Sequence, residues 1–125
     1  MKSAKEQKSN MLGAVNCQPP LSAIVRLNDA LRCHGQGGRI LITASVMALG
    51  PMVVTRIIGA VQAYNTFDER NDPYGEHDCA IVSVAGQSIL WKIDYYDTAM
   101  ACHSPDPANP ELTCRVLTIM LADEY

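Results

Sequence analysis

Apolar positions recur along this chain at several periods, and each change of period marks an element. Ile24, Leu27 and Leu31 recur at helical spacing, with Ala23 and Ala30 beside them. Ser22 stands where an N-cap belongs, and residues 35–38, rich in Gly, end the helix and turn the chain. Residues 39–46 are β-branched and almost wholly apolar, which predicts a strand buried on both faces. Gly50-Pro51 breaks the pattern, with Pro51 suited to a first helical position. Val54, Ile57, Ile58, Val61 and Tyr64 then form the stripe of a second helix, in which Gly59 suggests close packing.

Two β-rich runs flank Gly86 and predict a hairpin. With Gly86-Gln87 as a two-residue loop, Gly takes the positive φ that opens a type II′ turn. Counting back pairs Val84 with Ile89, Val82 with Trp91, Ala80 with Ile93 and Asp78 with Tyr95, all on one face. The same register sets Glu76 opposite Asp97 and His77 against Tyr96, with Asp94 alongside. Trp91 and Tyr95 fall on the inner side, leaving Tyr74, Tyr96, Glu76 and Asp94 on the exposed one.

Three Pro within residues 104–110 impose turn or extended structure. Asn109-Pro110-Glu111 then reads as the start of a helix over 110–123, burying Leu112, Val116, Ile119 and Met120. The centre of that stretch is also strand-like. The order α-β-α-β-β-α describes an α+β domain over 21–125, a small sheet built on the antiparallel hairpin with helices packed against it. Residues 1–20, with three Lys and Pro19-Pro20, read as a flexible arm.

The chain has 125 residues, 48% of them hydrophobic, enough for one domain with its own core. Five Cys without paired spacing fit a reducing compartment, each as a small buried hydrophobe. No signal peptide opens the chain, and the apolar run 40–63 is interrupted by Gly50-Pro51 and holds Arg56, whose insertion would cost about 2.5–3.5 kcal/mol at a bilayer centre. A cytoplasmic protein without a membrane span is the expectation. Net charge is −3, but from Asp68 to Glu111 nine acids face only Arg70 and Lys92. That field repels phosphates, disfavours direct nucleic-acid binding and suits a basic partner surface. A solvated acidic loop explains the same composition.

Chemistry concentrates in two stretches, Asn-Asp-Pro-Tyr-Gly-Glu-His-Asp at 71–78 and Trp-Lys-Ile-Asp-Tyr-Tyr-Asp at 91–97. Asp68, Asp72, Glu76, His77, Asp78, Asp94 and Asp97 are hard ligands of the kind Ca2+ or Mg2+ takes, yet their spacing fits no EF-hand. Cys33-His34 lacks a second pair at ligand spacing, and His34 more simply complements a helix C-terminus. There is no Gly-rich phosphate cradle, no nucleophile elbow and no nucleophile beside the acids. No catalytic residue, metal or cofactor is therefore assigned. Aromatics beside carboxylates suit recognition instead, with Asp72, Tyr74, Glu76, His77, Asp78, Lys92, Asp94, Tyr96 and Asp97 as the partner-binding set.

These two blocks, with Ser-Pro-Asp-Pro at 104–107 and Arg-Val-Leu-Thr-Ile-Met-Leu-Ala at 115–122, resemble the bacterial domain of unknown function 3768. The resemblance spans about residues 24–125. The family pattern has Phe-Gly after the Glu-His-Asp run, where this chain has Cys79-Ala80. No established activity comes with it. It implies cytoplasmic proteins of proteobacteria, often carried on plasmids and other mobile elements. The expectation is a non-catalytic partner-binding protein, an inhibitor of a host defence system of the anti-CRISPR or anti-restriction type. Its partner would be a host or element-encoded protein that itself binds nucleic acid. The alternative is a small metal-assisted enzyme using Glu76, His77 and Asp94.

Overall fold

The computed structural model describes residues 18–125, with side chains from Ser22 onward. Helix α1 (Gln18–His34) starts before Ser22 and takes in Pro19-Pro20, whose fixed φ suits a first helical turn. It begins three residues inside the stretch expected as an arm, and residues 1–17 lie outside the described ones. Its buried positions are Asn28, Leu31 and Arg32, while Ile24 and Leu27 are only half-buried. Gly35, at φ 68, ends the helix and donates its N–H to the Leu31 carbonyl.

The strand expected over 39–46 is cut short. Strand β1 (Arg39–Ile42) is an edge strand, with Ile40 and Leu41 about half exposed. Thr43 then accepts the Val46 N–H on its hydroxyl and starts the one-turn helix α2 (Ala44–Met47). Helix α3 (Pro51–Ala63) buries Val54, Ile57 and Val61, the stripe its periodicity predicts. Gly59 is exposed on that helix with open space around it, so close packing is not its role.

Strands β2 (Cys79–Val84) and β3 (Gln87–Tyr96) form the hairpin, but around Ala85-Gly86. Both turn residues have positive φ, 52 and 77, which is the type I′ geometry that matches strand twist. The register therefore differs by two residues: Val82 faces Ile89, Ala80 faces Trp91 and Val84 faces Gln87. A shift of two preserves the faces, so the inner side chains are those expected.

The largest departure is the stretch expected as a helix over 110–123. Its core is strand β4 (Cys114–Leu121), followed by a 3-10 turn (Ala122–Glu124). Asn109 does accept the Glu111 N–H, but this closes a single turn and goes no further. What decides the strand is pairing on both edges. β4 lies between β1, to which it is parallel, and β3, to which it is antiparallel, in the sheet order β1-β4-β3-β2. Val116, Leu117, Ile119 and Met120 are buried, whereas Leu112 is exposed.

The result is an α+β domain with a four-stranded mixed sheet. Ala80, Val84, Ile89, Trp91, Ile93, Leu117 and Ile119 meet Leu31, Val46, Val54, Ile57 and Val61 of the helices in one core. Full burial of a side chain such as Ile57, Ile89 or Leu117 contributes about 1.5–3 kcal/mol. The run 40–63 is divided among β1, α2 and α3, and among the described residues no helix is long and apolar enough to cross a membrane. None of the four described cysteines is fully buried, and Cys102 is exposed, contrary to the expectation of small core residues.

Candidate functional site

The loop from α3 to β2 is shaped by its own carboxylates. Asp68 accepts the N–H groups of Arg70 and Asn71, and the Asp68 N–H in turn donates to Asn71 Oδ1. Asp72-Pro73-Tyr74-Gly75 makes the turn that its Pro and Gly predict, with Gly75 donating to the Asp72 carbonyl. The Asp72 carboxylate is buried and accepts from the backbone of Glu76 and His77. Asp72 therefore folds the loop.

Glu76 and His77 also turn inward, toward α1. The Glu76 carboxylate accepts from the Tyr95 hydroxyl at 2.7 Å, and its backbone carbonyl accepts from Asn28 at 3.0 Å. His77 stacks on Phe67 with ring centroids 4.0 Å apart, and its Nδ1 lies 3.0 Å from Asp29. The expected facing pairs, Glu76 with Asp97 and His77 with Tyr96, do not form; the two-residue shift sets Tyr95 at the level of Glu76. Asp97 caps the next turn by accepting the Ala101 N–H, a bond that holds its carboxyl below the usual range.

Behind these lies a buried polar network that the sequence reading missed. Asn28 is wholly buried, donates to the Tyr95 hydroxyl at 2.8 Å and accepts from Arg115 Nε at 2.6 Å. Arg115 also donates to the Pro107 carbonyl and lies over the Tyr95 ring. Arg32 donates to the carbonyls of Val61, Gln62 and Tyr64 at the end of α3 and to Asp29. A signal for Arg115 was present: once 114–121 is read as a strand, Arg115 shares a face with Leu117 and Ile119. Burial and the hydrogen bond to Glu76 push the Tyr95 phenol well above its ordinary range, despite the opposing bond from Asn28. The Ser-Pro-Asp-Pro block is structural as well, since buried Ser104 bonds Thr113 at 2.7 Å and accepts the Asp106 N–H.

One accessible cleft lies where β3 outruns β2. Between the start of β2 and the Tyr96–His103 bridge is a cleft of about 320 Å3, lined by Asp78, Ile93, Asp94, Tyr95, Tyr96 and His103. Burial pushes the Asp78 carboxyl up, and the charge of Glu76 pushes it further. Asp94 is ion-paired with Lys92, and both are partly exposed. Tyr74, on the neighbouring turn, is 80% exposed. Of the expected set, the cleft joins Asp78, Asp94 and Tyr96, with Lys92 beside it; Asp72, Tyr74 and His77 line a second cleft of about 450 Å3 on the acidic loop, and Glu76 and Asp97 are bonded to Tyr95 and Ala101. Among the described residues, no three His, Cys, Asp or Glu side chains converge as a metal site would need.

Residues 42–124 match the model of a family described as "Protein of unknown function (DUF3768)". No curated protein and no solved structure matches the chain. The match covers more than half of the sequence, and the chain belongs to that family.

Proposed function

We propose that this member of the family is a non-catalytic protein that binds a basic partner through the cleft of Asp78, Asp94, Tyr95, Tyr96 and His103. The observation that carries the reading is this cleft itself, in which two carboxylates sit beside two phenol rings and an imidazole. Carboxylates steer a cationic side chain and aromatic faces hold it once desolvated. Exposed Tyr74 adds an anchor of the type enriched in interfaces. In our reading the partner is a nucleic-acid-binding protein, host or element-encoded, and the acidic residues cover its phosphate-binding lysines and arginines. Inhibition of a host defence system is the form this takes on a mobile element.

The metal-assisted alternative draws little support from the geometry, because Glu76, His77 and Asp94 turn to three different partners: Tyr95, Asp29 and Lys92. Affinity capture from a bacterial lysate tests both readings. The wild-type chain should retain a partner stoichiometrically, with affinity falling as salt rises and unaffected by EDTA. Asp94→Lys combined with Tyr96→Ala should lose it. Retention of the same partner by that double variant would overturn the cleft reading. A melting temperature that rises with added Mg2+ or Ca2+ would favour the alternative.

A further inference from the structure

At the opposite edge of the sheet from that cleft, β1 has a strand on one side only, since the order is β1-β4-β3-β2. The Thr43 N–H donates to the Ile119 carbonyl, so the peptide groups of Leu41 and Thr43 turn toward β4. Alternation then aims the N–H and C=O groups of Ile40 and Ile42 at the open edge, where among the described residues no strand receives them. Edge strands in stable monomers are blunted by Lys, Pro, inward charges or bulges. The sequence Arg-Ile-Leu-Ile carries only Arg39, and Ile40 and Leu41 are 45% and 54% exposed.

The register of β1 decides what fits there. Ile40 pairs with Leu117 of the core and Ile42 with Ile119, so both lie on the helix side of the sheet, while Leu41, paired with Thr118, lies on the other. A second copy set antiparallel about a two-fold axis at Leu41 brings Leu41 against its counterpart and Ile40 against Ile42 of the second copy. Directly opposed residues share a face, so apolar side chains meet on each side of one continuous sheet. Ile40 and Ile42 of the second copy then form a hydrogen-bonded pair, which uses the outward N–H and C=O groups of both. The next pair along is Arg39 with Thr43 of the second copy. Thr43 donates its hydroxyl to the Glu124 carboxylate at 2.9 Å, so Arg39 arrives beside an acid, and the symmetry makes this contact twice.

We propose that β1 is the interface of a symmetric dimer, in which it pairs antiparallel with β1 of a second copy and Arg39 meets Glu124 across the axis. The surface is independent of the partner-binding cleft, and its test does not involve that partner. A strand of four residues makes a short contact, so the dimer is concentration-dependent. Sedimentation of the full chain over a concentration series should show the mass rising from one chain to two. In the dimer the Ile40 and Ile42 amides should exchange slowly with solvent. Leu41→Lys, at a half-exposed position, sets like charges on the axis and should leave a folded monomer in which both amides exchange fast. Arg39→Glu should also weaken the dimer by opposing Glu124, and Arg39→Glu with Glu124→Lys should restore it. A mass of one chain at every concentration would overturn the proposal. So would a dimer that survives Leu41→Lys, or one in which the Ile40 and Ile42 amides stay unprotected, since either would place the contact on another surface. Failure of the charge swap to restore what Arg39→Glu loses would overturn the Arg39–Glu124 register.

Discussion

Arg115 donates from Nε to the Asn28 side chain at 2.6 Å, joining β4 to α1 with both groups out of water. Asn28 passes the connection to Tyr95 and, through its other contact, to the Glu76 backbone. Asn28→Ala removes the acceptor and leaves a buried guanidinium short of a partner. Urea unfolding should show a loss of about 3 kcal/mol. A loss well under 1 kcal/mol would mean that the network does not hold the helix to the sheet.

Tyr95 is held un-ionised. Its folded value is raised above the ordinary phenol value of about 10, by burial first. A raised value means that the stability from this phenol is complete below the ordinary value and is lost as pH rises through the folded one. Ultraviolet titration of the native chain should therefore show one of its five Tyr ionising late, together with alkaline unfolding. Tyr95→Phe should remove that late step.

Asp78 also has a raised value, so its ionised form is disfavoured in the fold. Its favourable contribution is present only below the ordinary carboxylate range and disappears as pH rises through the folded value. Asp78→Asn should thus raise the melting temperature at neutral pH, with the gain shrinking in acid. Asp97, held low by the Ala101 N–H, has the opposite sign: its contribution is present above the ordinary carboxylate value and lost as pH falls. Asp97→Asn should cost stability at neutral pH and little in acid. Melting curves across pH check both.

Two glycines should respond in opposite directions. Gly59 sits mid-helix with nothing near a would-be Cβ, so Gly59→Ala should stabilise by about 0.5–1 kcal/mol. At Gly38 a Cβ would collide with the Arg115 backbone carbonyl and lie 2.9 Å from Leu31. Gly38→Ala should cost about 1–3 kcal/mol. Thermal or urea unfolding distinguishes them.

The hairpin and α3 were legible because their periodicity and breakers agree, as at Val54, Ile57 and Val61 after Gly50-Pro51. The hairpin register was not, because Ala85 adopts a positive φ that alanine rarely takes, and this moves the turn. β4 was hidden by a local cap signal at Asn109 that tertiary pairing on both edges overrides. Asp78, Asp94 and Tyr96, singled out for their chemistry, line one cleft. His103 joins them without a sequence signal, since it reaches the cleft only through an isolated bridge to Tyr96. Asn28, Arg32 and Arg115 escaped because polar residues are read as solvent-facing unless a partner is known. Their partners lie on other elements and come together only in the assembled fold.

The parallel pairing of β1 with β4 carries a consequence for biosynthesis. Arg39–Ile42 has its neighbour at residues 116–119, so a growing polypeptide exposes Ile40 and Leu41 with no strand to receive them until that late segment has cleared the ribosome. β3 too has one edge open through that interval. Sheet closure therefore waits on the meeting of widely separated parts of the chain. The waiting time is when the nascent chain is most open to chaperones and to mispairing with its neighbours.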